Sequence, residues 1–471
     1  MMGQGLVLAV LSAAPVSFDV TAQAQTTAPH TAPSADAMSS ADRTALVRAL
    51  SAYDQGQPDQ AKPVLEKLVR QYPRNFEATE TLGLIHADGG DFAAALPLLE
   101  KASAIRPSSG LALANLGAAY LKLNRNADAI RVLDRAAILD PRNRETQSAL
   151  GQALMLVGRP ADAATAFAAA SADGPPDPDL LYNWALALLN AGKTKRAAEV
   201  VATIPHPESS AQVQSLWGDI EEKNGNFGTA LEHDQRAAEL DPSETNLYAL
   251  ALELMRDGLF PAAGKILDYA VAKYPQSARL QFGFGLAKYG SDDYQGSAAV
   301  FSALLQREPQ SNLYADLLGR NCIMIDQWQN TGCDALEQAV TANPANASAA
   351  LYLAERILRR PEIEQDTTRA RTLLDQVVHT NPKLAEAWFQ EGILDQQQMQ
   401  WQQSARMLEK AVALEPTFAQ AHYRLARAYA HIGKREEALH EIALEKKYSS
   451  RDESSQTMRM REVTAFLTAS H

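Results

Sequence analysis

Prolines recur through this chain at a nearly fixed interval, and that interval restricts it to a repeat architecture. Pro73, Pro107, Pro141 and Pro175 stand 34 residues apart, and Pro207, Pro242, Pro275, Pro309, Pro344, Pro382 and Pro416 continue the series with small slips. Proline lacks a backbone N–H and biases the residue before it away from helical angles. Each one therefore ends a helix, as at Asp140-Pro141, Asp241-Pro242 and Glu415-Pro416. The stretch Gly110 to Asn143 is the fullest copy: two amphipathic helical halves meet at a polar stretch around Asn124, and Pro141 follows the second half. About a dozen such copies predict stacked helix hairpins in one array rather than separate domains.

Two glycine sets give the hairpins their geometry. Gly83, Gly117, Gly151, Gly218, Gly285 and Gly392 fall in the middle of the first helix of a repeat, with Ala185, Ala251, Ala354 and Ala426 in the same slot elsewhere. A mid-helix glycine costs on the order of 1 kcal/mol against alanine, so its recurrence needs a packing reason. Twelve residues on comes another small residue, as in Ala95, Ala129, Ala163, Ala197, Ala230, Ser297, Ser404 and Ala438, so small is expected to face small where the two helices meet. The second set, Gly56, Gly90, Gly158, Gly192, Gly225, Gly258 and Gly433, falls at the turn between helices, where a left-handed cap suits glycine. Large apolar residues fill the remaining phases and can be buried only by stacking one hairpin on the next.

These residues resemble the tetratricopeptide repeat family, whose pattern the third copy matches at Leu113, Leu116, Gly117, Tyr120, Ala129, Leu133, Ala136 and Pro141. The resemblance covers residues 42–452 in about twelve repeats. It implies an all-α, right-handed solenoid of antiparallel helix hairpins with a concave groove lined by first helices, and it implies no chemistry. In the family register the fifth residue of each first helix looks into that groove, which here selects Tyr182, Ser215, Tyr248, Phe282, Leu317, Phe389 and Tyr423. Two readings of them stand: an aromatic ladder for an extended peptide or partner helix, or packing against the neighbouring hairpin. The Asn and Arg residues that resemble a carboxylate-binding set, Asn115, Asn183, Arg424 and Arg427, are scattered over distant repeats.

Several departures from the pattern carry expectations of their own. The first repeat is one phase off, as a capping repeat would be, and the fifth is short near Ile204-Pro205-His206-Pro207, predicting an irregular connector. The tenth carries about four extra residues between Ile357 and Ala370, predicting a projecting loop. Residues 453–471 place Met460, Val463, Phe466 and Leu467 at helical spacing, predicting a helix that caps the final hairpin.

Composition bounds location and partners. The net charge is -12 with no Lys/Arg block, which argues against nucleic acid and against an anionic lipid surface. Gly5 to Phe18 is an apolar run too short to span a membrane, although the stretch before it lacks the usual Lys or Arg, and Ala22-Gln23-Ala24 follows as a small-x-small site. Residues 1–24 read as a signal peptide cleaved after Ala24, which predicts a periplasmic or extracellular protein with no membrane insertion of the mature chain. Residues 25–41, rich in Thr, Ala, Pro and Ser, read as a disordered leader.

The chemistry-bearing residues form no catalytic or cofactor-binding constellation. Cys322 and Cys333 lie on the two helices of the ninth hairpin, either bridged or as two buried thiols, and lack a second pair that would make a zinc site. His422, His431 and His440 recur every nine residues, which scatters them around a helix and predicts surface histidines. Gly283-Phe284-Gly285 lies inside a predicted helix with no strand before it, so it is no nucleotide loop. The sequence thus predicts a non-enzymatic scaffold that binds a protein or peptide partner. The alternative, an accessory subunit of an envelope polysaccharide or secretion apparatus with glycan contact, rests on fold analogy alone.

Overall fold

The computed structural model describes residues 38–172, 174–325, 331–359, 364–449 and 461–466; the expected signal peptide and most of the leader fall outside these residues. The chain divides into two compact units, one up to Leu240 and one from Asp241. In the first, the helices pair as α1 (Ser40–Asp54) with α2 (Pro58–Gln71), α3 (Phe76–Asp88) with α4 (Phe92–Ile105), α5 (Gly110–Lys122) with α6 (Asn126–Leu139), α7 (Arg144–Leu156) with α8 (Pro160–Ala170), α9 (Pro178–Asn190) with α10 (Thr194–Val201), and α11 (Ala211–Asn224) with α12 (Phe227–Leu240). In the second they run α13 (Glu244–Arg256) with α14 (Phe260–Lys273), α15 (Ala278–Gly290) with α16 (Tyr294–Arg307), α17 (Asn312–Met324) with α18 (Ala335–Ala342), α19 (Ala347–Leu358) with α20 (Glu364–Thr380), α21 (Ala385–Gln397) with α22 (Trp401–Leu414), and α23 (Ala419–His431) with α24 (Arg435–Ser449). A further helical segment occupies 461–466. Within each unit, every second helix also packs on the first helix that follows it, giving the all-α solenoid of stacked hairpins.

Seven of the prolines do more than stop a helix. Two residues after Pro73, Pro107, Pro141, Pro175, Pro275, Pro309 and Pro344 stand Asn75, Ser109, Asn143, Asp177, Ser277, Ser311 and Asn346, and each of these caps the next first helix by accepting from a backbone N–H of its first turn. The turn glycines all adopt positive φ, between 71° and 82°. Where the turn lacks glycine, Asn124, Asp292 and Met399 adopt the same left-handed conformation at φ of 57°, 62° and 58°.

The mid-helix glycines make room for more than the small residue expected to face them. A Cβ built on Gly117 would lie 2.5 Å from Leu133, on Gly151 2.6 Å from Phe167, on Gly285 2.6 Å from Phe301 and on Gly392 2.5 Å from Leu408. The group resting on each glycine is thus the large residue sixteen positions on, not the small one twelve positions on. The small residue lies against the glycine's backbone instead: Ser297 Oγ donates to Gly285 O at 2.8 Å and Ser404 Oγ to Gly392 O at 2.9 Å. Leu133, Phe167, Phe301 and Leu408 are wholly buried. In the first unit one apolar core runs unbroken from Leu84 to Ile220.

Three regions depart from the regular hairpin. The fifth repeat ends early at Val201 and returns through a short 3-10 turn, Pro207–Ser209, with His206 at φ 51°. In the ninth, α18 is only 8 residues long and α17 packs mainly on α16 and α19. The extra residues of the tenth repeat are absorbed in part by lengthening α20 to 17 residues; residues 360–363 lie outside the described set. Of the C-terminal segment expected to cap the final hairpin, the described part, 461–466, contacts Tyr289 of α15 and Arg320 of α17, and on α24 Leu439 and Ile442 are 62% and 48% exposed.

Gly117→Ala tests the hairpin contact. The added methyl gains about 1 kcal/mol of helix propensity but collides with Leu133, which is buried on all sides and cannot swing away, at about 1–3 kcal/mol. We expect net destabilisation in urea melts, and a Gly117→Ala/Leu133→Ala double variant less destabilised than the sum of the two single variants. Simple additivity would refute the contact.

Candidate partner-binding surface

Burial divides the seven fifth-position residues. Tyr248, Phe282, Leu317 and Phe389 are 3%, 4%, 0% and 5% exposed and present no open ladder; Tyr182 and Ser215 are half-buried, and only Tyr423 stands out, at 55%. The reason is the direction in which these side chains leave their helices. Phe282 on α15 reaches Tyr314 on α17 at 6.1 Å between ring centroids, and Phe389 on α21 reaches Phe418, just before α23, at 4.7 Å. The Arg279 guanidinium of α15 lies 4.1 Å over the Tyr248 ring of α13. Large residues at this position fill the seam between successive first helices.

A polar stripe crosses the first helices of the second unit. On α17, Arg320 Nε pairs with Asp316 at 3.0 Å; from α19, the Tyr352 hydroxyl donates to the other Asp316 oxygen at 2.7 Å. One turn further along α19, Arg359 holds Glu355 at 3.1 Å and donates to Ile323 O at 2.7 Å. On α21, Gln390 Nε2 donates to Glu386 at 2.8 Å. Burial pushes the Glu386 carboxyl up to about 7 against the opposing Gln390 hydrogen bond, with the nearby Glu355 and Glu415 charges adding to the rise. Glu355 is raised by burial too, with Arg359 opposing.

The 461–466 segment lies on this stripe. Glu462 accepts from the Tyr289 hydroxyl of α15 at 2.7 Å and pairs with Arg320 Nη1 at 3.2 Å. Val463 is 1% exposed, and the Arg320 guanidinium stands 5.5 Å from the Phe466 ring centroid. Tyr289, Asp316, Arg320 and Tyr352 are the residues that the sequence reading passed over. Gly319 was the available signal: it sits in the mid-helix glycine slot, and the Tyr352 ring of α19, not a residue of its own hairpin, fills the space above it.

The remaining candidates are placed as follows. Cys322, near the end of α17, is disulfide-bonded to Cys333, with Cα atoms 5.9 Å apart; Cys333 lies in the short 3-10 turn before α18 rather than on the second helix. His422 is buried, not at the surface as expected: Nδ1 pairs with Glu441 and Nε2–H donates to Pro416 O at 3.0 Å. His431 is exposed and stacks on Trp401, and His440 is exposed. Among the described residues no group of three or more His, Cys, Asp or Glu could hold a metal ion, and no helix is long and apolar enough to cross a membrane.

Two tetratricopeptide repeat models match the chain, one over residues 46–110, 248–312 and 389–451 and the other over 86–153 and 154–220. Together with the paired helices, these matches define the class: the chain belongs to the tetratricopeptide repeat family. No curated relative matches it in sequence. Among solved structures it is similar to YrrB, described as a TPR protein with an unusual peptide-binding site, at 19% identity over 40% of this chain and 95% of that one, with a TM-score of 0.37. Pseudomonas aeruginosa pilF matches at 22% identity over 44% and 97%, with a TM-score of 0.37. The APC/C hetero-tetramer Cut9-Hcn1 matches at 14% identity over 91% of each chain, with a TM-score of 0.34.

The raised Glu386 carboxyl makes a testable contribution to stability. Its folded value lies above the ordinary 4.5, so the folded state holds the proton more tightly, and ionising the group as pH rises from about 4.5 through about 7 costs stability. Glu386→Gln keeps the acceptor for Gln390 and removes the charge. We expect the variant to match wild type in urea midpoint near pH 5 and to exceed it at pH 8, on the order of 2 kcal/mol. Equal midpoints at both pH values would contradict the assignment.

Proposed function

We propose that this tetratricopeptide repeat protein is an exported scaffold that holds a protein or peptide partner on the first-helix face of its hairpins. A protein–protein interaction role follows from the family; the face and the compartment are our reading. The observation that carries the face is the helical segment 461–466 against Tyr289 and Arg320, a peptide-like occupant whose Glu462 meets side chains of two successive first helices. Hydroxyl, guanidinium and carboxylate groups set between apolar seams suit an amphipathic helix, which offers both kinds of group on one side.

Export is supported by the apolar run before Ala24 and by the bonded Cys322 and Cys333, since structural disulfides persist in oxidising compartments. Closing a loop of this length contributes about 3 kcal/mol in the chain-entropy model, a stabilisation that a reducing cytosol would remove. The mature protein from an envelope fraction should begin at Gln25 and, denatured without reductant, show no free thiol by mass. A cytoplasmic protein with intact Met1 and two free thiols would exclude export.

A photo-crosslinking residue tests the face. Placed at Tyr423, on the first helix α23, it should capture a partner from an envelope extract, while the same residue at Tyr269, 52% exposed on the second helix α14, should not. Equal capture from both positions, or capture only from Tyr269, would reject the first-helix face.

A further inference from the structure

The Glu462, Val463 and Phe466 side chains define what the stripe of the second unit recognises, and they belong to this chain. Residues i and i+4 of a helix share a face, as do i and i+3, so Glu462 and Phe466, and Val463 and Phe466, are presented together. The carboxylate meets two donors, the Tyr289 hydroxyl at 2.7 Å and Arg320 at 3.2 Å, from two successive first helices, and Val463 is buried. Arg320 is fixed from behind by Asp316 and stands near the Phe466 ring. The described residues 461–466 thus meet groups 142 and 173 residues away in sequence, on α17 and α15.

We propose that the Tyr289–Arg320 surface is a helix-binding site occupied in the free protein by the chain's own C-terminal helix, and that its external ligand is an amphipathic helix carrying the same Glu-Val-x-x-Phe arrangement. The inference rests on the first-helix reading of function and specifies the partner's chemistry. A tethered segment competes at a high effective concentration, so an external helix binds only as it displaces the tail. The tail thereby sets the threshold concentration for partner binding.

The test uses the full chain and a fluorescent synthetic peptide spanning residues 455–471. Val463→Asp, and separately Glu462→Lys, should release the tail, and each released chain should bind the wild-type peptide at least tenfold more tightly than the wild-type chain does. A peptide carrying Glu462→Lys should not bind. Amide exchange at 461–466 should be slow in the wild-type chain and fast in both variants. If both variants bind the peptide no better than wild type, or if 461–466 exchanges equally fast in all three chains, the self-occupied site is overturned. Crosslinking from Tyr423 reads out separately: loss of that capture with peptide competition intact removes the scaffold reading and leaves this site standing.

Discussion

Four of the hairpins depend on the same contact, the large second-helix side chain that rests on the bare Cα of a first-helix glycine sixteen residues earlier. Leu133 on Gly117, Phe167 on Gly151, Phe301 on Gly285 and Leu408 on Gly392 are the same event repeated along the chain. The absence of a Cβ lets the backbone of one helix serve as a packing surface for the other, which explains why a residue that weakens a helix in isolation recurs at its centre. At two glycines the contact takes another form. Gly218 faces Asp234 rather than an apolar group, and above Gly319 the Tyr352 ring enters from the next first helix. That second substitution coincides with the shortened α18, whose start is tied to α17 by the Cys322–Cys333 bond instead of by a helix–helix seam.

The same contact decides which residues remain for recognition. Because second helices fill the inside of each hairpin and large fifth-position residues fill the seams between hairpins, the groups left on the first-helix side are mostly polar. They are nonetheless half-buried, so their charges are incompletely hydrated, which is why Glu355 and Glu386 bind protons more tightly than free glutamates. The stripe is accordingly a set of paired groups, Asp316 with Arg320 and Tyr352, Glu355 with Arg359, Glu386 with Gln390.

Periodicity made the hairpins legible, because a period reports what each residue does within its own repeat. The prolines marked the ends of second helices, and the turn glycines marked seven of the left-handed turns, with Asn124, Asp292 and Met399 filling the same role elsewhere. Direction was harder to read. Choosing between the residue twelve positions on and the one sixteen on, or between groove and seam for Tyr248 and Phe282, requires knowing how far a side chain leans along its helix, and spacing alone does not contain that. His422 was misplaced for a related reason: counting every ninth residue described its own helix and ignored Glu441 on the next. The docking of 461–466 left no periodic trace at all, since it joins residues more than 140 positions apart without a repeat to predict the meeting.

The electrostatics of the stripe explain why such a segment can be held and still released. Asp316 and Glu355 already share the charges of Arg320 and Arg359, which weakens any general attraction of the surface for the carboxylate of Glu462. What holds that carboxylate is local: a hydroxyl from α15 and a guanidinium whose charge Asp316 already shares. A half-exposed pair of this kind contributes about 0–1 kcal/mol, and full burial of one valine about 1.5–2 kcal/mol. Those terms suffice to bias a tethered segment toward its site, where the ordering cost is reduced by the tether, and they are small enough for an untethered helix of better complementarity to take its place. A site built instead on a buried, unshared arginine would have bound the tail too firmly for exchange, so the doubled use of Arg320 is what keeps the surface open to a partner.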